Sequence, residues 1–428
     1  MKKQVNIIGG GLAGAEAAAY LARHQVYVNL YEMRPYVTSE AHSSDLFGEL
    51  VCSNSLKSND LDNAAGLLKA EMRVLDSLMM EAAEASKISG GRALIVDRHK
   101  FAAYISKQLE NNKYINIIRE EVKEIPEGIT IVASGPLTSD ALTKTLENLL
   151  GEQMLGFFDA SSPIVTKDSL DLSKMYEKSR YENNDGGYLN VPLTKKQYET
   201  LVRELVNAKR APLKKIDEQY FEGCLPLEVM ASRGENTLRF GPLKPKGLEQ
   251  EDGTLPYAVV QLRQDDVAGN LYNLVGFQTN LTYGEQRRVF GLIPGFENAE
   301  YVRYGLMHRN TFIKAPAVLN KTLQLKNYPN IFIAGQLSGV EGYIESGASG
   351  IVAGINALRL LENKQLVSPP FETMLGALLN YLENAHIKTF APMNANFGII
   401  YGVNKQNRLQ KASEAVEKMK RWKESIHG

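Results

Sequence analysis

Gly9, Gly11 and Gly14, with Gly10, Leu12 and Ala13 between them, are the residues whose spacing speaks first of chemistry. They follow the β-type run Val5-Asn6-Ile7-Ile8 and open an alanine-rich stretch. A helix that starts in such a turn presents free backbone N–H groups and a positive dipole end, which together hold a pyrophosphate. Gly9 would permit the tight turn, Gly11 would let the backbone approach the phosphates, and Gly14 would let helix and strand pack closely. Glu32 falls 18 residues after Gly14, at the tip of a second β-type run, where a carboxylate can accept hydrogen bonds from an adenosine ribose. The alternative is a glycine turn with only a structural purpose.

Two further glycine segments point the same way. Residues 129–133 read as a buried strand that empties into Ser134-Gly135-Pro136, the kind of strand end where ligands meet doubly wound sheets. Near the other end of the chain, residues 330–334 read as a strand and Gly335-Gln336-Leu337-Ser338-Gly339-Val340-Glu341-Gly342 as a glycine loop. Tyr343 follows it, then a helix over 346–361 rich in Gly and Ala that can approach its neighbour closely. A helix start aimed at a flavin ring stabilises the anionic reduced form. Tyr343 is a candidate for stacking on flavin or folate, or plain core.

Those pieces need a sheet to hold them. At 428 residues the chain exceeds what one core usually organises. We expect an α/β fold: a Rossmann-type FAD-binding domain built from both chain ends, residues 1–185 and 325–428, with an inserted mixed α/β domain over 186–324. A dinucleotide fold completed from the far end of the chain suits FAD better than NAD. Helical spacing covers residues 64–86, a strand 93–96 and a helix roughly 100–110. Residues 150–185 show no clear period. Strand-like runs lie at 238–240, 258–262 and 271–277, and residues 285–320 read as helix and loop.

Lys+Arg 49 against Asp+Glu 49 leaves no net charge, so only local patches can speak for a nucleic-acid partner. Residues 195–215 hold seven basic residues against two acids, read as a solvated helix face or an RNA contact. The tail from Lys405 reads as a basic helix carrying Trp422, a solvated end or an RNA contact. Cys52 and Cys224 are the only cysteines, far apart and without a CxxC, which argues against a disulfide framework, a cysteine-rich zinc site and a dithiol reductase. Each sits in a non-helical setting, where a reactive thiol and a buried bystander are both open readings. No metal is expected, and no stretch approaches a membrane span. A cytoplasmic location follows.

The strings Leu30-Tyr31-Glu32-Met33-Arg34-Pro35 and Glu49-Leu50-Val51-Cys52-Ser53-Asn54-Ser55-Leu56-Lys57-Ser58-Asn59 closely resemble the TrmFO family of folate- and FAD-dependent tRNA (uracil-5-)-methyltransferases. The resemblance continues through Val96-Asp97-Arg98-His99, Phe221-Glu222-Gly223-Cys224 and Arg303-Tyr304-Gly305-Leu306-Met307-His308, and covers nearly the whole chain. It implies transfer of a methylene carbon from methylenetetrahydrofolate to C5 of a uridine, with FAD as cofactor and NAD(P)H as reductant. Uracil C5 is a poor nucleophile until a group adds to C6, and a thiolate suits that addition. By the family's motif Cys224 is that nucleophile and Cys52 lies near the flavin. The implied cofactor-binding set is Gly9, Gly10, Gly11, Leu12, Ala13, Gly14, Glu32, Arg34, Gly135, Gly335, Gln336, Gly342 and Tyr343. The implied partners are RNA, with the T-loop uridine of tRNA as target and a ribosomal RNA uridine as the alternative, and a small-molecule folate. A general flavin oxidoreductase and the related, longer GidA protein are the competing expectations.

Overall fold

The computed structural model describes residues 3–39, 41–180, 188–211, 225–266 and 269–427. Five parallel strands form the central sheet, in the order Ile331–Ile333, Thr130–Val132, Gln4–Ile8, Tyr27–Tyr31, Ile115–Ile118. The inner strands Gln4–Ile8 and Thr130–Val132 are buried on both faces, as parallel strands demand, and Ile7, Leu30, Ile131, Phe332 and Ile333 are fully enclosed. The strand from the far end of the chain thus completes a sheet begun at residue 4. The first strand lies inside the sheet, between partners that lead in opposite directions, so its carboxyl end is a topological switch point.

Helix Leu12–Arg23 leaves that strand and crosses helix Tyr343–Leu361 at very short range. A Cβ on Gly350 would lie 2.1 Å from the Ala13 carbonyl oxygen, so the small residues of the second helix are a packing requirement. Two buried glutamates, Glu16 on the first helix and Glu71 on helix Ala64–Val74, tie further helices into this core. Glu16 accepts from the Ser77 hydroxyl and from the amides of Leu78 (3.0 Å) and Met79 (2.9 Å). Glu71 accepts from the amides of Met374 (2.7 Å) and Leu375 (2.9 Å), at the start of helix Met374–Asn384. Each carboxylate satisfies amides that a helix start leaves without intrahelical partners.

Burial pushes the Glu71 carboxyl up to about 8 against the pull of those two amides. The folded protein therefore holds this proton to higher pH than the unfolded chain does. Its contribution to stability is present in acid and lost as pH rises from the ordinary value of 4.5 through about 8. Thermal unfolding should show Tm falling from about pH 5 to about pH 9, with a shallower fall in Glu71→Gln. Glu71→Ala should cost about 2–3 kcal/mol, because it strands two buried amides. A pH-independent Tm in the wild type would contradict the first expectation, and an unchanged Tm in the alanine variant the second.

In chain order between Thr130–Val132 and Ile331–Ile333 comes a second sheet with its own core. Six antiparallel strands run in the order Tyr176–Glu177, Tyr188–Leu193, Ala258–Gln264, Leu271–Leu274, Ile164–Thr166, Tyr301–Arg303. Val191, Leu193, Tyr198, Leu262, Phe277 and Phe290 are among its buried residues. An antiparallel ribbon, Met154–Ala160 against Met307–Ile313, carries the chain in and out of this region. Ile164–Thr166 and Tyr176–Glu177, both before residue 186, thus belong to the second sheet. Ile164–Thr166 has its partners more than a hundred residues away, and both strands are only two or three residues long, so residues 150–185 carry no local period.

Three readings of the sequence are corrected. Residues 238–240 form a helical turn, Thr237–Phe240, closed by Phe240 N–H to the Asn236 carbonyl at 3.1 Å. Only Leu238 of that turn is buried, so no strand face forms. The stretch 285–320 includes two strands besides its helices. The tail helix Arg408–His427 is no free solvated end: Ala412, Ala415, Met419, Trp422 and Ile426, at helical spacing, are buried against the main core. Several of its lysines are held in ion pairs, among them Lys418 with Glu372 at 2.6 Å.

Candidate functional site

A cleft of about 980 Å³, its open mouth included, lies at the carboxyl end of the first strand. Its floor is the first glycine turn. Gly9 has φ +101°, and a Cβ there would lie 2.5 Å from the Ala133 carbonyl oxygen. A Cβ on Gly14 would lie 1.9 Å from the Gly9 carbonyl oxygen, so this glycine serves helix–strand contact and does not line the cleft. Gly11 differs from both. It precedes the helix with φ −72°, lines the cleft, and a Cβ there would meet no protein atom within 4 Å. The space beside Gly11 is open to a ligand. No side chain caps this helix and no acid stands in its first turn, so its amides and dipole are left for an anion.

The opposite walls come from the other two glycine turns. Ser134 through Ser139, Gly335, Gln336, Tyr343 and Ser346 all line the cleft. Gly135 also has open space where its Cβ would be. Gly342 stands behind the lining, where a Cβ would lie 2.2 Å from the Glu345 carboxylate.

The acid end is a buried charge network. Glu32 accepts from Gly10 N–H (3.0 Å), Arg34 N–H (3.1 Å), Arg34 Nε (2.9 Å) and Arg34 Nη2 (3.1 Å). Those four donors occupy the acceptor positions a carboxylate offers, so a ribose hydroxyl would have to share an oxygen with one of them. Arg34, 2 % exposed, also donates to Glu49 at 3.1 Å. Glu49 in turn accepts from the amides and hydroxyls of Ser43 and Ser44. Burial opposes ionisation of Glu32, but the Arg34 hydrogen bonds and charge hold its carboxyl below the usual range. His42 lines the same end; burial, then the Arg34 charge, pushes it down to about 4, so it is neutral near pH 7. Glu49 and His42 were not among the residues expected to line a site. Glu49 opens the string that carries the family resemblance, and His42 stands alone in a polar stretch without regular pattern.

Cys52 sits in a half-buried loop beside the wall residue Val51. Its main-chain N–H donates to the Tyr343 hydroxyl at 2.6 Å and Ser53 N–H does so at 3.1 Å, a link across 291 residues. Arg98 donates to the carbonyls of Leu50 (3.1 Å) and Cys52 (3.3 Å), and is anchored on Asp265 at 3.1 Å. Arg263 donates to Asn54 at 3.0 Å and to the Ser53 hydroxyl at 2.7 Å. The second sheet thereby grips the cysteine loop. Downstream, buried Lys69 donates to the carbonyls of Leu56 (2.7 Å) and Ser58 (2.6 Å). Arg303, donating to the Ala41 carbonyl at 3.1 Å, adds a second positive charge felt at Cys52 and Tyr343.

Of the expected cofactor set, Gly9, Gly10, Gly11, Leu12, Ala13, Glu32, Arg34, Gly135, Gly335, Gln336 and Tyr343 line one cleft. Gly14 and Gly342 shape it from behind. Cys224 lies outside the described residues.

A parallel sheet with a glycine turn at its switch point, closed by a strand from the distant end of the chain, defines a protein of the Rossmann-type FAD-binding class. The family model "Glucose inhibited division protein A" matches residues 4–365. A Bacillus pumilus (strain SAFR-032) protein named methylenetetrahydrofolate--tRNA-(uracil-5-)-methyltransferase TrmFO is 52% identical over 422 residues, covering 98% of this chain and 97% of its own. A Lysinibacillus sphaericus (strain C3-41) protein of the same name is 55% identical over 397 residues, covering 92% and 91%. The structure of Aquifex aeolicus GidA superposes with a TM-score of 0.69 at 18% identity, over 97% of this chain and 73% of that one, a likeness of fold. The chain belongs to the glucose inhibited division protein A family and, within it, to the TrmFO proteins.

Proposed function

We propose that this protein methylates C5 of a tRNA uridine, with methylenetetrahydrofolate as carbon donor, FAD as cofactor and NAD(P)H as reductant. The observation that carries the reading is the 52% identity, along 98% of this chain, to a relative named for that reaction. The cleft fits a dinucleotide: open space beside Gly11 and Gly135, an uncapped helix start without acids, and walls from three strand ends. FAD held there supplies the hydride that converts the transferred carbon to a methyl group.

The chain's own residues do the rest. Gly9 to Ala13 hold the pyrophosphate on the helix start, and Glu32, fixed by Arg34, stands at the adenosine end. Tyr343 and the turn from Gly335 to Gln336 bound the opposite end. The Cys224 thiolate adds to C6 of the uracil, which makes C5 nucleophilic toward the methylene carbon. Its departure, after loss of the C5 proton, restores the ring double bond. The main-chain bonds to Tyr343 and Arg98 hold Cys52 beside the cleft, where its thiol assists carbon transfer or proton removal. No described helix is long and apolar enough to cross a membrane.

The test supplies methylene-labelled folate and NAD(P)H to the FAD-loaded protein with unmodified tRNA or unmodified large-subunit ribosomal RNA. Label should enter tRNA as 5-methyluridine. Label in ribosomal RNA alone would overturn the substrate, and NAD(P)H oxidation without label in either RNA would leave a general flavin oxidoreductase.

A further inference from the structure

Three tyrosines stack ring on ring at the open edge of the second sheet. Tyr301 and Tyr304 belong to the edge strand Tyr301–Arg303 and the residue after it, and Tyr283 opens helix Tyr283–Phe290. Tyr304 is the middle ring, 4.9 Å from Tyr301 at 12° and 4.6 Å from Tyr283 at 20°. The inner ring, Tyr301, packs on the second core; the outer ring, Tyr283, is 54% exposed. The ladder therefore ends on a ring open to solvent.

Internal packing does not require this geometry. In the same core Tyr198 meets Tyr257 at 63° and Phe277 meets Phe290 at 73°, the edge-on arrangement that aromatic quadrupoles accept as readily as an offset stack. A parallel ladder that reaches the surface is the geometry a nucleobase extends.

The surrounding charge selects the same partner. Arg287 donates to the Tyr304 hydroxyl, and its guanidinium lies 5.3 Å from that ring. Lys209 and Arg210 are exposed on the segment that runs beside Leu281 and Thr282, joined by Thr282 N–H to the Lys209 carbonyl at 3.1 Å. Lys209 and Arg210 of the basic run thus lie next to Tyr283 in the fold. Among the described residues Arg288 ion-pairs with two neighbouring carboxylates, Glu285 at 2.7 Å and Glu204 at 2.6 Å, and so offsets their charge. Strand residue Arg303, between two of the stacked tyrosines, reaches inward to the Cys52 loop. One strand joins the ladder to the cleft.

We propose that Tyr283, backed by Tyr304 and Tyr301, is a stacking platform for an unpaired base of the substrate RNA, with Lys209, Arg210 and Arg287 tracking its phosphates. The proposal rests on the RNA-methylating reading above and names where that RNA docks.

The FAD-loaded full chain tests it through Tyr283→Ala, Tyr283→Leu and Tyr283→Phe, with KM and kcat measured for unmodified tRNA. Stacking on an aromatic ring accounts for the expected rise in KM of about ten-fold or more in the alanine variant. Tyr283→Leu, which keeps apolar bulk over Tyr304 without an aromatic face, should show the same defect, with FAD content and kcat little changed. Tyr283→Phe should match the wild type. A wild-type KM in both the alanine and leucine variants overturns the platform, and is the result expected if this face serves a protein partner. A phenylalanine variant as impaired as alanine also overturns it, by making the hydroxyl the contact. Wild-type protein that labels no RNA would instead remove the functional reading beneath the proposal.

Discussion

Cys224→Ala should abolish transfer of labelled carbon to tRNA, by about a thousand-fold or more, while the purified protein keeps its FAD. Cys52→Ala should also lose methylation, but at a different step. The described bonds that position Cys52 use its main-chain N–H, to Tyr343, and its carbonyl, from Arg98. Alanine keeps both, so a loss would report the thiol itself. The two variants separate with tRNA carrying 5-fluorouridine, whose C5 substituent blocks proton loss and so blocks release of the attacking thiolate. Cys52→Ala should still give a protein–RNA adduct on a denaturing gel; Cys224→Ala should give none. An adduct in Cys224→Ala, or full activity in it, would end its assignment as the nucleophile.

What could be read in the sequence was whatever the chain encodes locally. The run from Val5 to Glu32 places strand, turn, helix, strand and acid within thirty residues, and each appears where the residue types put it. The loop from Gly335 to Gly342 was legible for the same reason, and its helix starts at Tyr343, three residues earlier than expected. The second sheet was only partly legible. Its longer strands announce themselves, but Ile164–Thr166 owes its existence to Leu271–Leu274 and Tyr301–Arg303, partners that no local pattern reveals. The same limit hid the chemistry around Cys52. Its neighbours Tyr343, Arg98, Asp265 and Arg303 come from four distant segments, and each is an ordinary residue in its own context. Glu49 could be quoted as part of a string, yet its partnership with Arg34 becomes visible only when the chain between them folds back.

Gly14 and Gly11 look equivalent on paper and should fail in opposite ways. Gly14→Ala sets a methyl group 1.9 Å from the Gly9 carbonyl oxygen, which is backbone and cannot step aside, so helix and strand must part. Overpacking of this kind costs about 1–3 kcal/mol or more, and Tm of the FAD-free protein should fall. The Cβ of Gly11→Val meets no protein atom within 4 Å, and φ −72° with ψ −169° is extended backbone that suits a β-branched residue. Tm of the FAD-free protein should therefore be unchanged. The valine side chain instead fills the space where the backbone would approach the pyrophosphate, so FAD affinity should fall by about a hundred-fold or more, roughly the 3 kcal/mol of a steric block at a phosphate cradle. Calorimetry of the apoprotein and titration with FAD, on both variants, read the two effects separately. A Gly11→Val protein that binds FAD like the wild type would mean that the pyrophosphate does not lie on this turn, and the cleft would need another occupant.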